Sequence, residues 1–359
     1  MKISRSLPVL SLSLASLTAA LLAAGSAQAS TLVVANKAEA TVSLVDLPGG
    51  KVLATLPVGV GPHEVGISPD GKTALIANYG AQQPGSSLTV IDIPGAKVVK
   101  TIELGEYKRP HGVVFADGRR ALVTVEQNKA LIEVDVEAGK VTRAIPTGQE
   151  VSHMVVASPD GSRAYTANIG SGSMTVIDLK EGKKVADVVT GAQAEGIDVT
   201  PDGKQVWVSN RQADTVSVVD AATLKVIGTI ESAKFPIRAK ATPDGKRMLV
   251  SNAMSGDVSV ISVGDRKVER RIAMPKDAAG GDGRLMGDMQ GPVPIGVVVE
   301  PDGKRAYVAL ANADRIMVLD LAQWKVTGHL TAGKEPDGMG FSPVDVKAKP
   351  AAGAAKSGR

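Results

Sequence analysis

Three of the four histidines in the sequence occupy the same place in a repeated segment. Each stands six residues before the proline of a Pro-Asp-Gly turn or, in one repeat with a shorter turn, directly after the matching proline. Carboxylates flank the histidines at this place, and isoleucine fills it in the last two repeats. In order around the repeats, the residues are Asp337, His63, His111, His153, Glu195, Ile237 and Ile295.

Imidazole nitrogens and carboxylate oxygens are the donors that proteins use for zinc, copper, nickel and iron. We therefore predict a divalent transition-metal site, or a small-anion site, formed by His63, His111, His153, Glu195 and Asp337. An open metal site of this composition can also act as a Lewis acid. The alternative is a solvated polar rim, in which the histidines bond neighbouring loops and water. The sequence leaves both interpretations open.

The repeat that must position these residues is a run of short strands around the Pro-Asp-Gly turn. In the turn, proline presets φ and glycine takes the positive φ. The flanking segments alternate β-branched and smaller residues, as in residues 215–219, which is typical of strands. The turn glycines lie 47, 43, 42, 42 and 58 residues apart, at Gly71, Gly118, Gly161, Gly203, Gly245 and Gly303. A period of this size indicates a β-propeller with four strands per blade.

The two ends of the repeat region complement each other. Residues 31–36 match residues 73–78, so the N-terminal side supplies the last three strands of a blade. Residues 336–343 match residues 62–69, so the C-terminal side supplies the missing first strand. Six complete repeats and one shared blade predict an all-β, seven-bladed propeller of four-stranded antiparallel blades, with no unpaired edge at the closure. Inner strands line the channel, so the five polar residues should form an arc at one mouth.

Several strand endings resemble the signature strand of YVTN-family propellers. They are YTAN at residues 165–168, WVSN at 207–210 and LVSN at 249–252, and the SPDGK turns and TVSVVD strands are similar to the same family. The resemblance covers nearly all of the chain after residue 30. It implies the propeller fold, whereas the family's functions are diverse: surface-layer modules, periplasmic binding proteins, lactonase relatives and haem-d1 carriers.

Residues that recur in most repeats are predicted to serve the scaffold by bonding backbone groups at turns. They comprise Asn36, Asn78, Asn168, Asn210 and Asn252, together with Asp46, Asp92, Asp135, Asp178, Asp220 and Asp320. Function is better sought where repeats differ. Asp198 and Lys240 stand where other repeats have Gly or Val, and we predict that they pair across blades, with Arg238 near Glu195. The fourth histidine, His329, is predicted to lie on an outer strand at the surface.

The longest insertion runs from Met274 to Pro294 and is rich in glycine. By connectivity it crosses the face that carries the histidines, where it would serve as a lid or a docking loop for a periplasmic protein partner. Its Met286 and Met289 also point to copper as a ligand, because thioether sulfurs bind Cu(I) well. A tolerated surface insertion is the alternative.

The ends of the chain indicate export. Basic Lys2 and Arg5, a short apolar stretch and the small residues before Ser30 predict a signal peptide over 1–29, cleaved after Ala29, and a periplasmic location. The propeller then spans 30–343, followed by a disordered basic tail over 344–359. Without leader and tail, 35 basic residues face 36 acidic ones, so a duplex-binding surface is not expected. No membrane span is expected, and we expect a monomer.

The leading hypothesis is a non-catalytic periplasmic protein that binds a metal, a small anion or a protein partner at the histidine face. A metal-dependent, lactonase-like hydrolase or isomerase is the main alternative, with Glu195 or Asp337 as general base. Haem-d1 binding through His63, His111 or His153 is a further alternative. Single-stranded nucleic-acid binding is not favoured, because only nine aromatic residues (three Phe, four Tyr, two Trp) are available for stacking. The absence of cysteine excludes disulfides, thiol nucleophiles, iron–sulfur clusters and covalent c-type haem.

Overall fold

The structure, a computed structural model, describes residues 30–276, 289 and 291–347. Within these residues, 28 strands form seven four-stranded sheets, and two short 3-10 helices occupy hairpins at Lys37–Glu39 and Glu126–Asn128. Each sheet is one blade of a propeller, which confirms the predicted all-β seven-bladed fold. The inner strand of each blade lines the channel, and the outer strand lies at the periphery.

Blades 1 to 4 contain the closure and the three histidine strands. Blade 1 comprises β28 (Pro336–Ser342), β1 (Thr31–Asn36), β2 (Thr41–Asp46) and β3 (Lys51–Pro57). Blade 2 comprises β4 (Pro62–Ile67), β5 (Thr73–Gly80), β6 (Pro84–Asp92) and β7 (Lys97–Glu103). Blade 3 comprises β8 (Pro110–Phe115), β9 (Arg120–Val125), β10 (Ala130–Asp135) and β11 (Lys140–Pro146). Blade 4 comprises β12 (Ser152–Ala157), β13 (Arg163–Asn168), β14 (Ser173–Asp178) and β15 (Lys183–Val189).

Blades 5 to 7 complete the ring. Blade 5 comprises β16 (Ala194–Val199), β17 (Gln205–Asn210), β18 (Thr215–Asp220) and β19 (Val226–Glu231). Blade 6 comprises β20 (Pro236–Ala241), β21 (Arg247–Asn252), β22 (Asp257–Ser262) and β23 (Lys267–Ala273). Blade 7 comprises β24 (Pro294–Val299), β25 (Arg305–Leu310), β26 (Arg315–Asp320) and β27 (Lys325–Thr331).

The ring closes by pairing the two ends of the chain, as predicted. Strand β28 pairs antiparallel with β1, with Thr31 opposite Ser342 and Val33 opposite Gly340. The chain stays packed beyond β28, because the Lys347 amide donates a 2.7 Å hydrogen bond to the Pro94 carbonyl. The predicted signal peptide and residues 348–359 of the predicted tail lie outside the described residues.

The recurrent polar residues satisfy backbone groups and one another, as the repeat predicted. In a Pro-Asp-Gly turn, Asp70 accepts hydrogen bonds from the Ser68 hydroxyl and the Lys72 amide, and Gly71 takes a φ of +73°. At a strand end, the buried Asn78 side chain accepts from the Gly59 amide and donates to hydroxyls of the next strand. These residues hold turns, which leaves the non-recurrent residues free for another role.

The hydrophobic core lies between the blades. One buried cluster joins Leu75 and Leu88 of blade 2 to Val123 and Ile132 of blade 3, and similar clusters fill other blade boundaries. The buried area of such apolar side chains stabilises the ring by about 25 cal/mol per Å². No helix in the described part of the chain is long and apolar enough to cross a membrane.

Candidate functional site

A left-handed residue precedes the inner strand of every blade and brings two sets of side chains together at the mouth. Its carbonyl accepts a hydrogen bond from an amide at or just beyond the end of the second strand, for example from the Glu126 amide to the Arg109 carbonyl at 3.1 Å. The seven left-handed residues have φ between 43° and 60° and are Gly61, Arg109, Val151, Gln193, Phe235, Val293 and Glu335. Outside glycine this conformation costs about 1 kcal/mol or more. Every blade therefore keeps this unfavourable backbone conformation at the same position, just before its inner strand.

The turn places two columns of residues side by side. The first rim column holds the residue after the inner-strand proline or its equivalent: Asp337, His63, His111, His153, Glu195, Ile237 and Ile295. The second rim column holds the residue after the asparagine near the end of the second strand, or after its equivalent: Lys37, Tyr79, Glu126, Ile169, Arg211, Ala253 and Ala311. Most polar residues of the two columns in blades 1 to 5 form ion pairs or hydrogen bonds with one another.

The three histidines lie side by side at the mouth, as predicted, and their rings form a continuous stack. The rings of His111 and His153 are stacked with centroids 3.6 Å apart and an interplanar angle of 30°. The rings of His63 and His111 are 4.4 Å apart and tilted by 40°. His111 is 1% exposed, and neither of its ring nitrogens has a hydrogen-bond partner. Burial and the neighbouring imidazoles lower the pKa of His111 well below its usual value, so this ring is neutral.

Asp337 and Lys37 flank the stack at its first end. Nδ1 of His63 lies 2.8 Å from Oδ2 of Asp337, and Nζ of Lys37 lies 3.6 Å from the same oxygen. Burial, reinforced by Lys37, lowers the pKa of His63 to about 4 despite the carboxylate. Burial alone would raise the pKa of Asp337, but the charges of His63 and Lys37 hold it well below its usual value. At neutral pH this end therefore carries a neutral imidazole beside an ion pair.

Glu126 and Glu195 hold the stack at its other end. Nδ1 of His153 lies 2.5 Å from Oε1 of Glu126, and its Nε2 lies 3.6 Å from Oε1 of Glu195. The Tyr79 hydroxyl donates a 2.6 Å hydrogen bond to Glu126. Burial opposes protonation of His153, but the two carboxylates outweigh it and raise the pKa. Burial likewise opposes ionisation of Glu195, yet His153 and Arg211 lower the pKa of that carboxyl to about 2.

An ion-paired arginine crosses the channel beneath the stack. Arg238 of blade 6 reaches Oε1 of Glu64 in blade 2 at 2.5 Å and Oε1 of Glu195 in blade 5 at 3.3 Å. Arg211 also lies 2.6 Å from Oε2 of Glu195. The predicted proximity of Arg238 and Glu195 is confirmed, as is the pair between Asp198 and Lys240 at 3.3 Å.

Glu126, Tyr79 and Glu64 are site residues that the sequence reasoning missed. The available signal was again a departure from the repeat. Tyr79 and Glu126 stand in the second rim column, which changes residue type from blade to blade. Glu64 follows His63, in a column where four of the seven blades have glycine: Gly338, Gly112, Gly196 and Gly296.

The remaining part of the mouth is apolar. Ile237 and Ile295 of the first column pack with Ala253 and Ala311 of the second in one buried cluster that also includes Val293. Met289, from the predicted lid, and Phe235 pack against this cluster. Nδ2 of Asn312 donates a 3.1 Å hydrogen bond to the Met289 carbonyl. Met286 and the acidic residues of the insertion lie outside the described residues.

Three of these residues have the geometry of a metal-binding group. His111, Glu126 and His153 each offer one potential ligand atom, and these three atoms lie within 4.8 Å of one another. Of the five predicted ligands, His111 and His153 belong to this group. His63 stacks beside it, whereas Asp337 and Glu195 contact the outer imidazoles as carboxylate partners. The mixed nitrogen and oxygen donor set suits a first-row transition metal better than calcium or magnesium.

Comparisons with known proteins agree with this architecture. The chain matches the model of the YNCE-like β-propeller family over residues 14–121 and 121–283. It is similar to a solved structure titled Kuenenia stuttgartiensis hydrazine synthase, with 22% identity and a TM-score of 0.65, covering 77% of this chain and 88% of that one. It is also similar to a functionally unknown protein from Desulfotomaculum acetoxidans, with 13% identity and a TM-score of 0.71, covering 87% and 98%. Among curated proteins, none matches the chain.

Proposed function

We propose that this chain, which belongs to the YNCE-like β-propeller family, is an exported binding protein that holds a transition-metal ion at its histidine mouth. The observation that carries the proposal is His111. Its ring is 1% exposed, both nitrogens lack a protein partner, and it lies beside two further potential ligands, Glu126 and His153. A metal bond to His111 would satisfy a group that the fold leaves buried and unpaired.

Leaving the buried His111 ring without a partner costs free energy, and a bound ligand would recover that cost. A buried polar group without a hydrogen bond costs about 1–3 kcal/mol. Recurrent side chains such as Asn78 and Asp135 find hydrogen-bond partners. Seven described residues have a buried side-chain nitrogen or oxygen without a hydrogen-bond partner, and only His111 among them has two such atoms. A side chain left wholly unpaired in this way points to an ion or water bound there.

The protonation states favour a cation over an anion at His111. A metal ligand must present a lone pair, so the imidazole has to be neutral. The lowered pKa values of His63 and His111 keep both rings neutral at pH 7, whereas the raised pKa of His153 means that a bound ion competes with a proton for that ring. The outer contacts of Asp337 with His63 and of Tyr79 with Glu126 are of the kind that orient metal ligands in known sites.

Export to the periplasm is part of the proposal. The leader-like residues 1–29 support it, as does the position of the proposed cleavage after Ala29. Ser30 and Thr31 are buried, and the Ser30 carbonyl accepts a 3.0 Å hydrogen bond from the Leu47 amide. Cleavage after Ala29 would therefore leave the packed strand β1 whole. Mass spectrometry of the chain recovered from its own periplasm tests this by the mass of its N-terminal peptide.

Calorimetry on the untagged mature chain tests the metal site directly. Titration with zinc, copper(II) and nickel should give saturable binding of one ion per chain for at least one metal. His111→Ala should abolish that binding. The matched control is His329→Ala, because His329 is the one histidine outside the stack and lies exposed on the outer strand β27. Binding that does not saturate, or that is equal in wild type and His111→Ala, would show that the mouth is a solvated polar rim and not a metal site.

A further inference from the structure

Three of the seven blades carry a hydroxyl at the residue just before the asparagine near the end of the second strand, or before its equivalent. Thr124, Ser209 and Ser251 stand there in blades 3, 5 and 6. The other blades have alanine, at Ala35, Ala77, Ala167 and Ala309. This difference between blades is the same kind of signal that marks the two rim columns.

Each hydroxyl ties together the inner strands of two adjacent blades. Thr124 Oγ1 accepts a 2.8 Å hydrogen bond from the Gly112 amide of its own blade and donates one of 2.5 Å to the His153 carbonyl of the next. Ser251 makes the equivalent pair of bonds to the Arg238 amide and the Ile295 carbonyl. All of these groups are buried, so each bond replaces hydration that the strands have lost.

Only the Thr124 bridge joins two strands that both carry histidine. Gly112 directly follows His111, so the two hydrogen bonds fix the backbone beside both stacked rings. Gly112 allows the close approach, because a Cβ there would lie 2.8 Å from the His153 carbonyl oxygen. Between blades 2 and 3, where Ala77 replaces the hydroxyl, the rings of His63 and His111 are 4.4 Å apart rather than 3.6 Å.

We infer that Thr124 is the positioning residue of the metal site: its hydroxyl sets the separation of His111 and His153 and thereby the affinity for the ion. The inference rests on the proposed function for the affinity, but the ring geometry is independent of any metal. Partners that orient metal ligands usually change affinity by roughly 10- to 100-fold when removed. We expect a loss in that range when the Thr124 hydroxyl is removed.

The test compares Thr124→Val, Thr124→Ser and Ser251→Ala. Zinc or copper(II) affinity is measured by calorimetry, and the ring Hε1 resonances of His111 and His153 are measured by NMR without metal. Thr124→Val should lose roughly 10- to 100-fold in affinity and shift both resonances. Thr124→Ser should behave as wild type, since serine makes the same bridge at Ser209 and Ser251. Ser251→Ala should keep the affinity, because its bridge joins no histidine strand. If the valine variant does not fold, Thr124→Ala takes its place in the test, because four blades already have alanine at this position.

The possible outcomes separate the two proposals. Unchanged resonances and affinity in Thr124→Val overturn the positioning role. An equal loss in Ser251→Ala also overturns it, because the effect would then be a general loosening of the ring. If wild type binds none of the metals, the proposed function fails, and the ring resonances alone decide whether Thr124 sets the stack.

Discussion

Blades 1 to 5 and blades 6 and 7 build the mouth from one backbone but with opposite side chains. Both parts use the left-handed residue before the inner strand and the same hydrogen bond to the second column. In blades 6 and 7 the columns carry Ile237, Ile295, Ala253 and Ala311, which bury one another under Met289. In blades 1 to 5 the columns carry nine ionisable residues: Asp337, His63, His111, His153, Glu195, Lys37, Tyr79, Glu126 and Arg211, with Ile169 completing the set.

The difference shows what each part must satisfy to be stable. An apolar cluster needs only to exclude water, and its burial is favourable at about 25 cal/mol per Å². A polar cluster must pair every buried group, because each unpaired one costs free energy. The polar part meets this demand largely with ion pairs and hydrogen bonds, but both buried ring nitrogens of His111 lack a partner, more such atoms than in any other residue of the described structure. The unpaired state of His111 is therefore a property of this part of the mouth, since the same backbone carries an apolar cluster three blades away.

The largest expected effect comes from removing the strand that begins the polar part. Deleting residues 336–359 removes β28 together with Asp337 and opens the ring at β1. A domain is stable by only about 5–15 kcal/mol, and losing an inner strand with its cross-blade packing should exceed that margin. Thermal unfolding by circular dichroism should show no folded propeller. Deleting only residues 348–359 should leave the melting temperature unchanged, and equal melting curves for both truncations would contradict the closure.

Breaking the ion pairs beneath the stack should have the next largest effect. Arg238→Met leaves the Glu64 and Glu195 carboxylates buried near each other without their shared cation. Removing one partner of a buried ion pair typically costs about 3–5 kcal/mol. The double variant Arg238→Met with Glu64→Gln should recover part of this loss. Lys240→Met on the same strand is the control, because its pair with Asp198 is partly exposed and should cost about 1 kcal/mol. Denaturant unfolding gives the values, and an equal cost in both single variants would contradict the ranking.

The sequence predicted the fold and one of the two rim columns, and the reason lies in the repeat. Turns such as Ser68–Gly71 recur, so the first column could be aligned from blade to blade, including His111 in the shorter repeat. Glu126 was not predicted, because in blade 3 Val125 replaces the strand-ending asparagine that marks the adjacent position. The pair of Glu64 and Arg238 was not predicted either. It joins blades that are not neighbours, and spacing along the chain does not say which residues meet across a channel.

Acid should destabilise the polar part through His63. Its pKa is lowered to about 4 in the folded state, against 6.5 when unfolded. Between these values the unfolded chain takes up a proton that the folded chain does not, so stability falls as pH drops from about 6.5 to 4. The loss from His63 is on the order of 3 kcal/mol at most. The raised pKa of His153 changes stability with pH in the opposite direction, and it does so in both proteins. The measurement therefore takes the difference in the free energy of unfolding between wild type and His63→Phe across this pH range. Parallel stability profiles would show that His63 titrates normally in the folded protein.

The smallest effect tests whether the two parts of the mouth are independent. Met289 is partly buried against the apolar cluster of Ile237, Ile295 and their neighbours. Met289→Ala should cost about 1 kcal/mol, because only part of the side chain leaves an apolar contact. Substitutions that share no partner usually add without coupling, and Met289 shares none with His111 in the described structure. Metal affinity should therefore stay within about twofold of wild type while the melting temperature drops by a few degrees. A fall in affinity of fivefold or more would mean that the insertion acts on the histidines, as the predicted lid would.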